Sequence, residues 1–176
     1  MAAAPARPGR LGAVEILDTI DLGSSAVVLR RAEARDVAAI VGLLAADPLG
    51  ATRDGAGAAG DLAAYQAAFA AIDRDPAHLL VVGQSGPDIV ATMQLCFLPG
   101  LSRRGALRAQ IEAVRVDEAY RGRGLGAAFI TWAINEARRR HCALVQLTTD
   151  KSRTAAHRFY ERLGFAASHE GMKLSL

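Results

Sequence analysis

The chain has 176 residues, of which 51% are hydrophobic and 22% charged, and its formal net charge is +3. These values are typical of a soluble globular domain. No apolar run reaches the roughly 18–20 residues of a membrane span, and no Lys/Arg run is interleaved with aromatic residues as in nucleic-acid-binding segments. Two cysteines are too few for a disulfide framework. We therefore expect a cytoplasmic protein with no membrane or nucleic-acid partner.

One domain is predicted over residues 26–176, preceded by a partly disordered tail at residues 1–25, within which residues 14–22 are apolar but ambiguous in period. The predicted elements of the domain are, in chain order, strand 26–31, a helix ending at 46, a helix capped by Asp61 and ended by Asp75, strands 78–84, 89–98 and 106–116, helix 127–140, strand 142–149, helix 152–163 and short strands 165–167 and 172–176. This order predicts an α/β fold with a mixed sheet and helices on both faces.

Residues 114–130, VRVDEAYRGRGLGAAFI, run from a strand through a glycine-rich loop into an apolar helix. The first N–H groups of a helix lack intrahelical acceptors and lie at the positive end of its dipole, so the loop predicts an anion site. The loop lacks the lysine of a Walker motif. Gly122, Gly124 and Ala127 match a dinucleotide pattern, but residues 117–121 separate them from the strand, which makes that signal weak.

The spacing Val116-x4-Arg121-x-x-Gly124-x-Gly126 resembles the signature V-x4-[Q/R]-x-x-G-x-[G/A] of the GCN5-related N-acetyltransferase (GNAT) family. Residues 156–165, AHRFYERLGF, are similar to the family's A-x-x-x-Y-x-x-x-G-F segment. The resemblance covers roughly residues 26–176. It implies a three-layer GNAT-type fold, with a mixed, mostly antiparallel central sheet of six to seven strands and helices on both faces.

The resemblance also implies that acetyl-CoA is the cosubstrate and that no metal takes part. The acetyl group would pass to a primary amine, on a small molecule or on a protein N-terminus or lysine, by direct attack in a ternary complex. Pantetheine would pair with the strand and the loop amides would hold the pyrophosphate. The implied cofactor-binding residues are Val114, Val116, Arg121, Gly122, Arg123, Gly124, Leu125, Gly126 and Ala127.

Two residues are the implied catalysts. Tyr160 matches the family tyrosine that protonates the departing thiolate, although an aromatic core residue is the other interpretation. Glu112 is the candidate base, or else a surface carboxylate; strand alternation predicts that it shares a face with Val114. Arg153 stands where many relatives have asparagine. A non-catalytic acyl-CoA-binding regulatory module is the alternative function, and a homodimer stays open.

Overall fold

The computed structural model of the protein describes residues 14–23, 25–46 and 62–175. Its elements in chain order are β1 (Ile16–Asp21), β2 (Ala26–Arg31), a 3-10 turn (Ala34–Asp36), α1 (Val37–Ala45), α2 (Leu62–Arg74), β3 (His78–Ser85), β4 (Asp88–Leu98), a turn (Ser102–Gly105), β5 (Arg108–Val116), a 3-10 turn (Glu118–Tyr120), α3 (Leu125–Arg139), β6 (Leu144–Leu147) and α4 (Thr154–Arg162). The predicted loop at 51–60 and the cap Asp61 lie outside the described residues.

The six strands form one sheet in the order β1-β2-β3-β4-β5-β6. Neighbouring strands are antiparallel from β1 to β5, whereas β5 and β6 are parallel and joined through α3. A parallel pair needs such a crossover connection, because a tight turn can join only antiparallel strands. The mixed, mostly antiparallel sheet that the sequence predicts is therefore confirmed.

Helices cover both faces of the sheet. The main core lies under α3, where Phe129, Ile130 and Ala133 pack with apolar side chains of β2, β3, β4 and β5. On the opposite face a smaller core joins Ile40 of α1 and Leu80 of β3, with partly buried side chains of α2 against it. Successive residues of β3 alternate between the two cores, as expected for a strand between two helical layers.

Two segments differ from the predicted elements: one that the sequence left ambiguous and one where the prediction is wrong. The ambiguous segment 14–22 forms β1, the outer strand of the sheet, antiparallel to β2. The strands predicted at 165–167 and 172–176 are absent from the described residues. A strand is stable only with a hydrogen-bonded partner and a face to bury, and here Met172 and Leu174 remain 96% and 87% exposed. Apolar alternation alone was therefore misleading at this end of the chain.

Candidate active site

A gap opens between β5 and β6. Their parallel ladder ends at the pair Ile111 and Leu147, where β6 stops, while β5 continues to Val116. Asp117 N–H donates to Val90 O on β4 at 2.8 Å. Because strand peptide groups alternate in direction, those of Val116 and Val114 point the other way, into the gap. This side of β5 is the one that the family resemblance assigns to pantetheine.

Two guanidinium groups donate hydrogen bonds to the carbonyl oxygens of β5 that face the gap. Arg121 Nε donates to Val116 O at 3.1 Å, and Arg115 Nη1 donates to Val114 O at 2.8 Å. A donor that enters between the strands would have to replace these guanidinium groups on the two oxygens. The oxygens are acceptors of the kind that an amide chain requires.

A β-bulge interrupts β5 directly before the gap. Glu112 pairs with Gln94 and Arg115 pairs with Thr92, so two β5 residues lie opposite Met93 alone. Ala113, at the bulge, has a φ of 54°. An inserted residue of this kind reverses the alternation of the side chains that follow.

The prediction that Glu112 shares a face with Val114 is consequently wrong. Val114 packs against the core under α3, whereas Glu112 lies opposite Gln94 on the other face of the sheet. The Glu112 side chain is exposed. Its carboxylate accepts a hydrogen bond from Gln110 Nε2 at 3.0 Å, and Gln110 Oε1 accepts one from Gln146 Nε2 at 2.6 Å.

The glycine-rich loop leads into the start of α3. Gly122 and Gly124 adopt φ values of 74° and 87°, which L side chains rarely adopt. Gly124 is the N-cap of the helix, and its carbonyl accepts the first helical hydrogen bond, from Ala128 N–H at 3.0 Å. Three residues lie between Gly124 and Ala128: Leu125, Gly126 and Ala127. Their N–H groups have no acceptor within the helix and lie at the positive end of its dipole.

The arginine side chains of the loop have separate contacts. Arg121 turns back to β5 through its bond to Val116 O. Arg123 stacks over the Tyr120 ring, with its Cζ 5.2 Å from the ring centroid, and its Nη2 donates to Ser25 Oγ at 3.2 Å. The candidate anion site therefore consists of the loop backbone rather than of a guanidinium pair.

Tyr160 is fixed by the way α4 ends. Phe165 N–H bonds Tyr160 O at 3.1 Å and Gly164 N–H bonds Glu161 O at 2.9 Å, with Gly164 at a φ of 91°. This is a Schellman motif, in which the residue after the glycine packs on the helix. The rings of Tyr160 and Phe165 meet edge to face with centroids 5.8 Å apart. The Y-x-x-x-G-F pattern therefore has a structural role, because the glycine and the phenylalanine hold the tyrosine in place.

The surroundings of Tyr160 connect it to β5. Burial raises the pKa of its hydroxyl above the usual 10.0, while the charges of Arg153 and Arg115 act in the opposite direction. Arg115 is the same side chain that bonds Val114 O. One residue earlier in α4, Phe159 lies beside Gly126, where an added Cβ would stand 3.7 Å from the ring. Helix α4 thus packs next to both the gap and the start of α3.

The sequence did not single out Gln146 or Arg115. Gln146 is a polar residue with apolar neighbours in the strand LVQL, and that interruption is the one signal that could have marked it. His157 contacts Asp150 O through Nε2 at 3.0 Å and so closes the loop before α4. Within the described residues no group of three His, Cys, Asp or Glu side chains could hold a metal ion, and no helix is long and apolar enough to cross a membrane.

An open cavity of about 440 Å³ lies away from these residues. Its walls come from β2, the start of α1 and the turn between β3 and β4, and they include Arg30, Asp36 and Gln84. No residue predicted for the site lines it. This cavity is therefore separate from the candidate site.

Comparisons with known proteins agree with this geometry. Residues 39–165 match the model of the acetyltransferase (GNAT) family. A glucosamine 6-phosphate N-acetyltransferase of Trypanosoma brucei brucei is 38% identical over 88 residues, 50% of this chain and 58% of that protein. An aminoalkylphosphonate N-acetyltransferase of Salmonella typhimurium is 32% identical over 110 residues, 62% of this chain and 70% of that protein.

A solved structure extends the similarity to the whole fold. It is described as a transcriptional regulator from Bacillus halodurans C-125 and is 43% identical, with a TM-score of 0.81 over 85% of this chain and 99% of that one. The family match covers well over half of the chain. The chain belongs to the GNAT family of N-acetyltransferases.

Proposed function

We propose that the chain transfers the acetyl group of acetyl-CoA to a primary amine, by direct attack in a ternary complex. The observation that carries the proposal is the gap between β5 and β6, which has unpaired helix amides at its loop end and Tyr160 beside it. The family uses acetyl-CoA, and two relatives are named for N-acetylation of small amines.

The cofactor site fits the chemistry of coenzyme A. Helix amides that lack acceptors suit a pyrophosphate, and strand carbonyls that face a gap suit the amides of pantetheine. Pantetheine would take the places that Arg115 and Arg121 now hold on Val114 O and Val116 O. The Arg121 guanidinium would then be available to phosphate oxygens.

The catalytic roles follow from position. Glu112 is exposed on the face opposite α3 and takes the proton from the attacking ammonium, directly or through water. Tyr160 is protonated at physiological pH, and burial raises its pKa further, so it can donate a proton to the departing thiolate.

The two thiols support direct transfer. Burial raises the pKa of both Cys96 and Cys142, which disfavours the thiolate that a covalent intermediate would require. Both cysteines are free, and we therefore assign the chain to the reducing cytoplasm.

Tyr160→Phe tests the assignment. A positioned general acid contributes about 10²–10⁴-fold to the rate, so we expect kcat to fall by that order while the acetyl-CoA Kd, measured by calorimetry, stays within about twofold. Tyr120→Phe is the matched control, because Tyr120 lies in the loop and should leave kcat unchanged. Wild-type turnover in Tyr160→Phe would refute the acid role.

The acceptor is sought by thiol release across an amine panel. The panel includes glucosamine 6-phosphate and an aminoalkylphosphonate, because relatives are named for them, together with neutral amines, polyamines and peptides. Saturable release with one class supports the enzyme assignment and names the acceptor.

A regulatory module is the second candidate, favoured by the 43% identical protein described as a transcriptional regulator. Tight acetyl-CoA binding with no thiol release above background for any amine would support this candidate over the enzyme. Size-exclusion chromatography then decides between a monomer and a homodimer.

A further inference from the structure

We propose that Gln146 and Gln110 form an amide relay that positions the carboxylate of Glu112 for the acceptor. The inference rests on the proposed function, since it gives Glu112 the task of receiving the acceptor proton. Gln146 and Gln110 are positioning residues here, because they act on the acceptor through Glu112.

The relay has a defined direction. Gln146 Nε2 donates to Gln110 Oε1 at 2.6 Å, so the oxygen of the Gln110 amide is turned toward β6. The Nε2 of Gln110 is thereby turned along β5 toward Glu112, and it donates to Glu112 Oε1 at 3.0 Å. An amide has its donor and acceptor on opposite sides, so the first bond decides which group meets the carboxylate.

The register of the sheet builds this arrangement. Gln110 and Gln146 are paired in the parallel ladder one position before it ends at Ile111 and Leu147. The relay therefore spans the two strands at the closed end of the gap. Glu112 follows beyond the last paired residue, and its Oε2 accepts no hydrogen bond from the described part of the chain. That oxygen is the one left for an ammonium or a water.

Gln94 provides an internal comparison. It is the cross-strand neighbour of Glu112, yet its Nε2 contacts His78 Nδ1 at 3.2 Å and Cys96 Sγ at 3.5 Å. It is thus a glutamine on the same face, directly opposite Glu112 on β4, whose amide nitrogen contacts other partners.

Few charged groups compete for this carboxylate. Helix α1, which packs over β4 and β5, carries no titratable side chain. Glu112 shares this face of the sheet with His78, Cys96, Arg108 and Arg115. Glu112 and Asp75 both act on the Cys96 thiol, which places them on the same side of the sheet.

The test compares Gln110→Met, Gln146→Met and their double variant with Gln94→Met in steady-state kinetics over pH. Losing a hydrogen bond to a charged group corresponds to about 10–100-fold, so we expect Gln110→Met to lower kcat/KM for the amine by that factor. KM for acetyl-CoA should stay unchanged.

Non-additivity identifies a relay. If both amides act through the same carboxylate, the double variant should equal Gln110→Met alone, and neither change should matter in a Glu112→Gln background. Multiplying effects, or a fall in kcat/KM in Gln94→Met as large as that in Gln110→Met, would overturn the relay while leaving the function intact. Full activity of Glu112→Gln would instead overturn both the relay and the assigned base.

A second variant guards against loss of folding. Gln146→Glu keeps the size of the side chain but presents acceptors at neutral pH, so the Gln110 amide must turn its Nε2 toward β6 and its oxygen toward Glu112. We expect a larger fall in kcat/KM than in Gln146→Met, at an equal melting temperature. A smaller fall would contradict the direction of the relay.

Discussion

A buried ion pair fixes the start of α1, the helix that lies over β4 and β5. Arg30 Nη1 and Nη2 donate to Asp36 Oδ2 and Oδ1 at 2.6 and 2.8 Å, and the two side chains are 4% and 5% exposed. Glu33 N–H also donates to Asp36 Oδ2 at 2.7 Å, and Arg30 Nε donates to Gln84 on β3. The substitution Asp36→Asn removes the negative charge of this pair and keeps the volume of the side chain.

The cost follows from burial. Asparagine leaves the guanidinium charge buried without a counter-charge, and breaking such a pair typically costs about 3–5 kcal/mol. A domain of this size loses about 2–4 °C of Tm per kcal/mol, so we expect Tm to fall by about 6–20 °C. Urea unfolding and calorimetry measure the change. Arg35→Ala is the matched control: Arg35 pairs with Glu33 at the surface, 67% exposed, and should cost less than about 1 kcal/mol.

The pair also gives the stability a pH dependence. Burial acts to raise the pKa of Asp36, but the hydrogen bond from Arg30, with that from Glu33 N–H, outweighs it and holds the pKa below 3.8. A lowered folded pKa means stabilisation that is present above the unfolded value and lost as pH falls through the folded one. The difference between wild type and Asp36→Asn should therefore shrink below about pH 4. A difference under 1 kcal/mol at pH 7, or one constant on acidification, would refute the reasoning.

Three glycines yield further predictions. Gly83→Ala would place a Cβ 3.0 Å from Val27 Cγ1 and 3.1 Å from Ala91 Cβ, so we expect a loss of about 1–3 kcal/mol in urea unfolding. Gly42→Ala, in α1 with nothing within 4 Å, should instead stabilise by about 0.5–1 kcal/mol; equal signs would contradict the packing argument. Gly124→Ala meets open space but has a φ of +87°, which strains it by about 1–2 kcal/mol. It should weaken acetyl-CoA binding in calorimetry, and unchanged affinity would count against the loop as the pyrophosphate site.

The sequence was informative where local chemistry decides the structure. Glycines with positive φ at 122 and 124 and an apolar helix after them locate the loop, since few residues other than glycine adopt that backbone. The Y-x-x-x-G-F segment folds as a Schellman motif for the same reason: Gly164 ends α4 and Phe165 packs back on Tyr160. These parts of the candidate site could be predicted because each depends on a few neighbouring residues.

Pairing between distant strands was not predictable in the same way. The hydrogen bond from Gln146 to Gln110 depends on the register of two strands that a whole helix separates in the chain. No local sequence pattern specifies that register. The strand predicted at 172–176 is wrong. Alternating apolar residues show which side chains a strand could bury, but they do not show whether a partner strand is present. Met172 and Leu174 satisfy the pattern and remain exposed.

The bulge at Ala113 explains how one strand serves both sides of the sheet. With unbroken alternation, Glu112 and Val114 would face the same way, and Val114 and Val116 would lie on the face opposite α3. The extra residue keeps Val114 and Val116 against the core under α3 while Glu112 stays exposed on the opposite face. An acceptor can then approach from one face as the cofactor enters from the gap. A deletion of Ala113 that restored the alternation should for that reason abolish turnover more completely than Glu112→Gln, and equal activity of the two variants would argue that the reversal of faces has no part in catalysis.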